Sequence, residues 1–524
     1  MFSNTSAEIS LNAPARCITS VKNDTQNHRF LVGACSLPPS STSLDGHGHT
    51  SSYMGGNASV NVNPLYLLRY HEEMNEMTVD AQLDFGNDGN GEIWALGSCP
   101  KDARLVVTCR GKVANIDDNV DLNFAETALW RIPDAALRED EIDLYPEDQD
   151  DYYDAEYRDR DGNDTSTKAG DVQKSLEKVC SFDLNSRVTD MQWNPASIPS
   201  HDFDDLDTSL DAGGSGSVGI TTADLLTVHR EQSSNSLNQV MLSSWDISTS
   251  SSAVALNQIS IPIPNYRGSS RFYRPMPSPP KASWDPHNHN LCAVTVGTGI
   301  ALIDFRVGNS VSGLKGCHRF GVMDVDYNPN KPQVLSSCGQ DSLVKFWDLR
   351  KTSSSSSYDE DDSSLGLSWS RQSPLRTLRG GHTHMTTCIR YNSFHDQLLL
   401  SGGTDSMVNL WRVSSISSAP LIDLAGMDDG DDLDEHGNRE NPNGIGVVDA
   451  MDHDKGIENH IDSASVETDG GNAPDVRVTK MEMREAVYDL AWSAADPWLY
   501  VALGYDGNVV LNHVPSKEKY KILL

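Results

Sequence analysis

The sequence predicts an all-β repeat fold, and three observations carry that prediction. First, two segments repeat each other: His318–Arg350, HRFGVMDVDYNPNKPQVLSSCGQDSLVKFWDLR, and His382–Val413, HTHMTTCIRYNSFHDQLLLSGGTDSMVNLWRV. His318 precedes Trp347 by the same 29 positions that separate His382 from Trp411, and Ser337, Asp341 and Trp347 match Ser401, Asp405 and Trp411 at steps of four and six. Second, each copy alternates apolar and polar residues between closely spaced turns, the pattern of short antiparallel strands rather than helices. Third, weaker copies run through the rest of the chain, and a recurring supersecondary unit implies a repeat architecture.

Within the first copy, Val322, Asp324 and Tyr327 lead to a turn at Asn328-Pro329-Asn330. The run Val334-Leu335-Ser336-Ser337 follows, then a Gly-Gln-Asp-Ser turn, then Leu343-Val344-Lys345-Phe346-Trp347. A buried indole N–H and a buried imidazole both need partners, and Ser and Asp can supply them. His318, Ser337, Asp341 and Trp347 are therefore expected to form one structural network, with His382, Ser401, Asp405 and Trp411 forming its copy.

These residues resemble the WD40 family. Gly381-His382 matches its Gly-His dipeptide and Trp347-Asp348 its Trp-Asp dipeptide, while Cys317 and Arg412 depart from the pattern. The resemblance implies four-stranded propeller blades of about 40–45 residues. The expectation is an all-β, seven-bladed WD40 β-propeller over 13–524, with long acidic or Ser-rich insertions between blades. The blades are expected near 16–70, 92–133, 179–250, 281–310, 317–350, 380–413 and 485–515. In the last, Asn512 and Met483 stand where Trp and His would be, and in the fourth Ile303 takes the Trp position. Insertions are expected at 138–175, 200–220, 352–372 and 425–480. A closed propeller protects its strand edges.

The chain has 524 residues and a formal charge of −34, concentrated in tracts such as Glu139–Asp164 and Asp428–Asp475. Such tracts lack the apolar surface to order themselves. They argue against nucleic-acid binding, which needs a basic footprint. Nine cysteines are scattered without a Cys-x-x-Cys pair, the amino terminus has no apolar signal core, and no run reaches membrane-spanning length. A cytosolic protein is expected.

No catalytic, cofactor or metal site is expected. Gly214–Gly219 has the spacing of a dinucleotide loop but follows an Asp-rich stretch rather than a strand. The pairs His47/His49, His287/His289 and His382/His384 lack the further ligands of a tetrahedral site. A His–Ser–Asp set that recurs from blade to blade suits packing, whereas nucleophilic catalysis needs one activated site. Ser353–Ser364 sets hydroxyls beside acids, as either a spacer or a substrate for acid-directed kinases. Tyr266–Lys281 is a basic, aromatic island, and Arg267, Arg271 and Arg274 are candidates for contact with an acidic partner or lipid headgroups.

Three stretches resemble one family more closely. They are HRFLVGACSL with NPLYLLRYHEE and GEIWALGSCPKDARLVVTC, GVMDVDYNPNKPQVLSSCGQDSLVKFWDLR, and the terminal VYDLAWSAADPWLYVALGYDGNVVLNHVPSKEKYKILL. The chain is similar in these to the EARP- and GARP-complex-interacting protein family. That resemblance implies a non-enzymatic scaffold for multisubunit vesicle-tethering complexes, peripheral at the trans-Golgi network and endosomes. An alternative class comes from Trp347-Asp348-Leu349-Arg350, which resembles the box by which some WD40 proteins dock on a cullin-ligase adaptor, with Trp347, Asp348 and Arg350 as the contact residues.

Overall fold

A computed structural model describes residues 6–11, 13–35, 63–86, 91–111, 125–137, 175–184, 186–195, 223–231, 239–247, 252–263, 278–307, 311–353, 367–418 and 475–523. Its strands group into four-stranded antiparallel meanders. The first is β2 (Ala15–Ser20), β3 (His28–Ala34), β4 (Leu65–His71) and β5 (Glu76–Leu83). The second is β6 (Ile93–Ser98), β7 (Leu105–Gly111), β8 (Ala125–Arg131) and β9 (Glu177–Phe182). The third is β10 (Val188–Trp193), β11 (Leu225–Glu231), β12 (Gln239–Asp246) and β13 (Ser252–Pro262). The start of β13 also pairs in parallel with the end of β9, which joins the second and third meanders into one sheet.

The fourth blade is β14 (Ala282–Trp284), β15 (Leu291–Val296), β16 (Gly299–Asp304) and β17 (Val311–Leu314). The fifth is β18 (Val322–Tyr327), β19 (Val334–Gly339), β20 (Val344–Asp348) and β22 (Arg376–Leu378), reached through β21 (Leu367–Ser370) on the edge of β17. The sixth is β23 (Thr386–Tyr391), β24 (Leu398–Gly403), β25 (Met407–Arg412) and β26 (Val476–Glu482). The seventh is β27 (Val487–Trp492), β28 (Leu499–Gly504) and β29 (Asn508–His513), completed by β1 (Ala7–Ser10).

The innermost strands β2, β6, β10, β14, β18, β23 and β27 each lie against the next, and β27 returns to β2. This ring is closed by the amino terminus: Ala7–Ser10 pairs antiparallel with Asn508–Leu511. The domain therefore begins before residue 13, because the last blade takes its outer strand from the other end of the chain. Apolar clusters sit between neighbouring blades. One joins Phe30 and Tyr66 of the first to Leu499 and Leu511 of the last.

The outer strands correct several expected boundaries. Glu76–Leu83, Glu177–Phe182, Val311–Leu314, Arg376–Leu378 and Val476–Glu482 all lie outside the spans expected for their blades. The reason is that inner strands carry the blade pattern, while an outer strand is added after a loop of any length. Two expected insertions accordingly contain strands: Leu367–Ser370 lies within 352–372, and Val476–Glu482 begins within 425–480. Ser175, the last residue of 138–175, bridges Asp84. The rest of 138–175 and all of 200–220 lie outside the described residues.

After the last blade comes the helix Ser516–Leu523, which packs Ile522 against the core between the last two blades. Its Glu518 carboxylate accepts from Arg412 at 2.5 Å. Arg412 is the residue that departs from the Trp-Asp dipeptide, and the helix is what it holds.

Candidate functional site

Each innermost strand begins at one face of the ring, here the proximal face, and ends at the other, the distal face. Between them runs an axial cavity of about 500 Å³ lined by residues from both ends, including Arg16, Trp94, Lys281, Asp326, Arg390, Asp489 and Phe394. Two devices fix its wall. The third residues of β10, β18 and β27 are Asp190, Asp324 and Asp489, and each accepts a backbone N–H from the next blade. The donors are Ala282 at 2.8 Å, Ile389 at 3.1 Å and Ile18 at 3.2 Å. In the other direction the indoles of Trp193, Trp284 and Trp492 donate to the backbone carbonyls of Gly97, Gln192 and Arg390 in the preceding blade at 3.0, 3.0 and 3.2 Å. Sequence reasoning missed this network, yet TDMQW, MDVDY and YDLAW carry its signal, an Asp three positions before a large aromatic.

The axial charges are largely internal. Arg390 donates to both Asp324 and, at 2.9 Å, Asp489. Burial alone would lower the guanidinium's pKa, but Asp324, Asp489 and Asp326 outweigh it and hold Arg390 well above its ordinary value. Burial likewise opposes the charge on Lys281, and Asp190, Asp489 and Asp324 overcome it, raising its pKa. Burial pushes Asp326 up to about 6, although Arg390 and the Tyr391 N–H at 2.8 Å favour its anion. A buried ion set tied to backbone N–H groups in successive blades holds a ring together.

The structure brings the two predicted side-chain sets together. Trp347 Nε1 donates to Ser337 Oγ at 2.8 Å, and Ser337 Oγ lies 2.8 Å from His318 Nε2. His318 Nδ1 lies 2.7 Å from Asp341. An indole only donates, so the Ser337 hydroxyl hydrogen goes to Nε2, and the imidazole proton sits on Nδ1 facing the carboxylate. The second set repeats this order: Trp411 to Ser401 at 2.9 Å, Ser401 to His382 at 2.8 Å, His382 to Asp405 at 3.1 Å. Burial holds both histidines below their ordinary pKa, against the pull of their Asp partners. Burial would raise Asp341, but His318 and the Arg319 N–H more than offset it, leaving the carboxyl far below the usual range. With its proton-accepting nitrogen tied to a hydroxyl that already accepts an indole proton, each set is a closed chain.

The other candidates are placed differently. Trp347 is 2% exposed, so its indole offers little surface to an adaptor. Arg350 is exposed and makes a bidentate pair with Asp348 at 2.8 and 2.9 Å. Arg306 makes the same pair with Asp304 at the matching strand end of the fourth blade, so the arrangement is a local turn that recurs. His287 Nε2 lies 3.2 Å from the Asn328 carbonyl oxygen and His384 Nδ1 2.5 Å from Thr404, and among the described residues no cluster of three metal-ligating side chains occurs. All nine cysteines are free and buried. His47, His49, Gly214–Gly219, Arg267, Arg271 and Arg274 lie outside the described residues. Among the described residues, no helix is long and apolar enough to cross a membrane.

Comparison with known proteins places this geometry among its relatives. The family profile Beta-prop_EIPR1, described as EIPR1 beta-propeller, matches residues 279–411. The chain is 28% identical over 515 residues to "EARP and GARP complex-interacting protein 1" of Homo sapiens, covering 97% of this chain and 96% of that protein. It is 30% identical over 243 residues to "EARP-interacting protein 1" of Caenorhabditis elegans, covering 46% of this chain and 53% of that one. It is also 27% identical over 232 residues to "WD repeat-containing protein DWA2" of Arabidopsis thaliana, covering 44% and 48%. A solved structure described as "COPII on membranes, outer coat vertex" aligns with a TM-score of 0.49 at 12% identity, covering 97% of this chain and 85% of that one.

Proposed function

We propose that this chain is a non-enzymatic propeller scaffold that binds multisubunit vesicle-tethering complexes of the EARP and GARP type. In that reading it supports endosomal recycling and retrograde traffic from the cytoplasmic surface of endosomes and the trans-Golgi network. The observation that carries the proposal is similarity over 97% of this chain to relatives named for those complexes. The geometry supports it. The recurrent His–Ser–Asp sets are saturated by their own blade's indoles. The axial charges bind backbone groups of the neighbouring blade. What such a disc offers is rigid surface, with loops setting specificity.

The test is affinity purification of the tagged full-length chain from its own cells with mass spectrometry of stoichiometric partners. Tethering-complex subunits at near-equal amounts are expected. A cullin adaptor in their place, lost on Arg350→Asp, would replace this reading with the ligase-receptor alternative.

A further inference from the structure

We propose that an arc of the proximal face, built by Arg16, Trp94, Arg187, Tyr488 and Tyr505, docks an acidic peptide segment of the protein partner. The inference rests on the scaffold reading above and adds the face and the chemistry of what it holds.

The arc comes from a recurrent irregularity. In each innermost strand except β14 the register with the second strand slips by one residue near the start, skipping Arg16, Trp94, Thr189, Met323, Thr387 and Tyr488. A bulge of this kind re-aims the side chain it carries. Thr189 and Thr387 use theirs within the ring, donating to the carbonyls of Pro280 at 2.6 Å and Val487 at 2.7 Å. Arg16 and Trp94 instead line the mouth of the axial cavity, and Tyr488 stays 42% exposed.

These side chains form one continuous patch over four blades. The Arg187 guanidinium lies 4.5 Å over the Trp94 ring, and the Trp94 indole donates to Glu92 at 2.9 Å. Tyr488 stacks on Tyr505 with centroids 5.2 Å apart, and both rings are more than a third exposed. Arg16 lies near Tyr488 and Glu92, and its buried Nε has no hydrogen-bond partner among the described residues. Arg16 and Arg187 thus share the neighbourhood of one carboxylate, Glu92, and Cys35 lies beside Arg16 as well. Tyr, Trp and Arg set around a cavity mouth is the composition of protein-interface hot spots.

The strands that flank the most acidic stretches of the sequence meet them at the opposite face. The described chain breaks between 137 and 175, 195 and 223, 353 and 367, and 418 and 475, and each break joins strands at the distal face. Those four stretches hold 38 Asp and Glu against 7 Lys and Arg, most of the chain's charge of −34. The guanidinium groups of Arg16 and Arg187 give the proximal arc the charge that an acidic segment complements.

The experiment pairs two readouts on the full-length chain. In the first, a fluorescein-labelled peptide of alternating Glu and Leu is titrated by anisotropy. Arg16→Glu with Arg187→Glu should weaken it by about tenfold or more, Tyr505→Ala by less, and the distal control Lys101→Glu not at all. Arg16→Lys with Arg187→Lys, which keeps the charge, should recover part of the affinity and checks that the fold is intact. Unchanged binding in the double reversal overturns the arc. So does stronger capture of phosphatidylserine vesicles or RNA than of the peptide by the same residues. In the second readout, the variants replace wild type in the affinity purification. Loss of tethering subunits in the double reversal alone supports the arc. Their retention overturns it while leaving the scaffold reading in place. Their absence from the wild type, with peptide binding intact, overturns the scaffold reading and leaves the arc.

Discussion

The fifth and second blades perform the same structural task with different chemistry. In the fifth, an indole, a hydroxyl, an imidazole and a carboxylate form a chain from Trp347 to Asp341 that ties the third strand to the loop before the first. In the second, Trp130 occupies the same place, paired across from Val106 as Trp347 is from Leu335. Among the described residues its indole N–H has no hydrogen-bond partner, and neither has the hydroxyl of Thr108. Instead Arg110 lies between two rings, 3.9 Å from the centre of Phe85 and 4.8 Å from that of Trp130, and pairs with Glu126 at 2.6 Å. Lys178 of the outer strand reaches the same carboxylate at 2.5 Å. A propeller needs each blade pinned from its outer strands toward its axis, and a cation–π stack does this where a hydrogen-bonded relay is absent.

The largest effects should not distinguish the two. Trp347→Ala and Trp130→Ala each empty a site 2% exposed or less, and each should destabilise by about 3–5 kcal/mol in urea unfolding. Equal midpoints for wild type and either variant would remove that indole from the core. A comparable loss comes from a residue that looks like part of an acidic tract. Asp475 closes the tract beginning at Asp428, yet its side chain is fully buried, bonded to Arg376 at 2.6 Å and to the Ser415 N–H and hydroxyl at 3.0 and 2.7 Å. Asp475→Ala should cost about 3 kcal/mol, since it strands a partly buried guanidinium between the fifth and sixth blades. A neutral result would make the pair decorative.

The comparison sharpens with a milder change. Trp347→Phe keeps most of the packing but leaves Ser337 without its donor, whereas Trp130→Phe breaks no hydrogen bond among the described residues. The first should cost about 1 kcal/mol more than the second. Equal costs would show that the relay contributes little beyond packing.

That contrast also explains what could be read in advance. His318, Ser337, Asp341 and Trp347 are each chemically distinctive, and their spacing repeats in the sixth blade, so the chain of contacts was visible as a pattern. Arg110 and Lys178 lie on different strands and Phe85 follows a third, with no second copy of the set and with separations whose length the fold does not fix. The outer strands fail for the same reason: β9 and β26 follow long acidic stretches, and their pairing partners, not their own sequences, define them. The amino-terminal strand is read only from the far end of the chain. The proximal arc was invisible because a bulge, not residue type, re-aims Arg16 and Tyr488.

A pH titration separates the blades by charge. The buried His318 and His382 have folded pKa values below the ordinary value of about 6.5, so the unfolded chain takes up their protons first as pH falls. Their contribution is therefore complete above about pH 6.5 and is lost on acidification below it. Asp326, pushed up to about 6, works in the opposite sense between its ordinary value and that point, but it is common to every variant compared. Replacing His318 and His382 by Gln should flatten the fall in urea midpoint between neutral and mildly acidic pH, while Arg110→Met should leave that slope unchanged. Parallel slopes in all three proteins would mean that the histidines titrate alike folded and unfolded.

The smallest effect should come from the largest change in sequence. Removing residues 430–470 takes most of the stretch between Ser418 and Asp475 but spares both anchors, which the fold holds through Asp396 and Arg376. Loop closure costs about 0.6 kcal/mol per doubling of length, so shortening this connection roughly fourfold should stabilise the chain by about 1 kcal/mol at most. The shortened chain also sheds acidic residues and their mutual repulsion, which acts in the same direction. A deletion of that size that outweighs the loss of the single Asp475 carboxylate would mean that the acidic stretch itself is bound to the ring. The expected order, one buried carboxylate over some forty residues beside it, follows from where each sits relative to the blades.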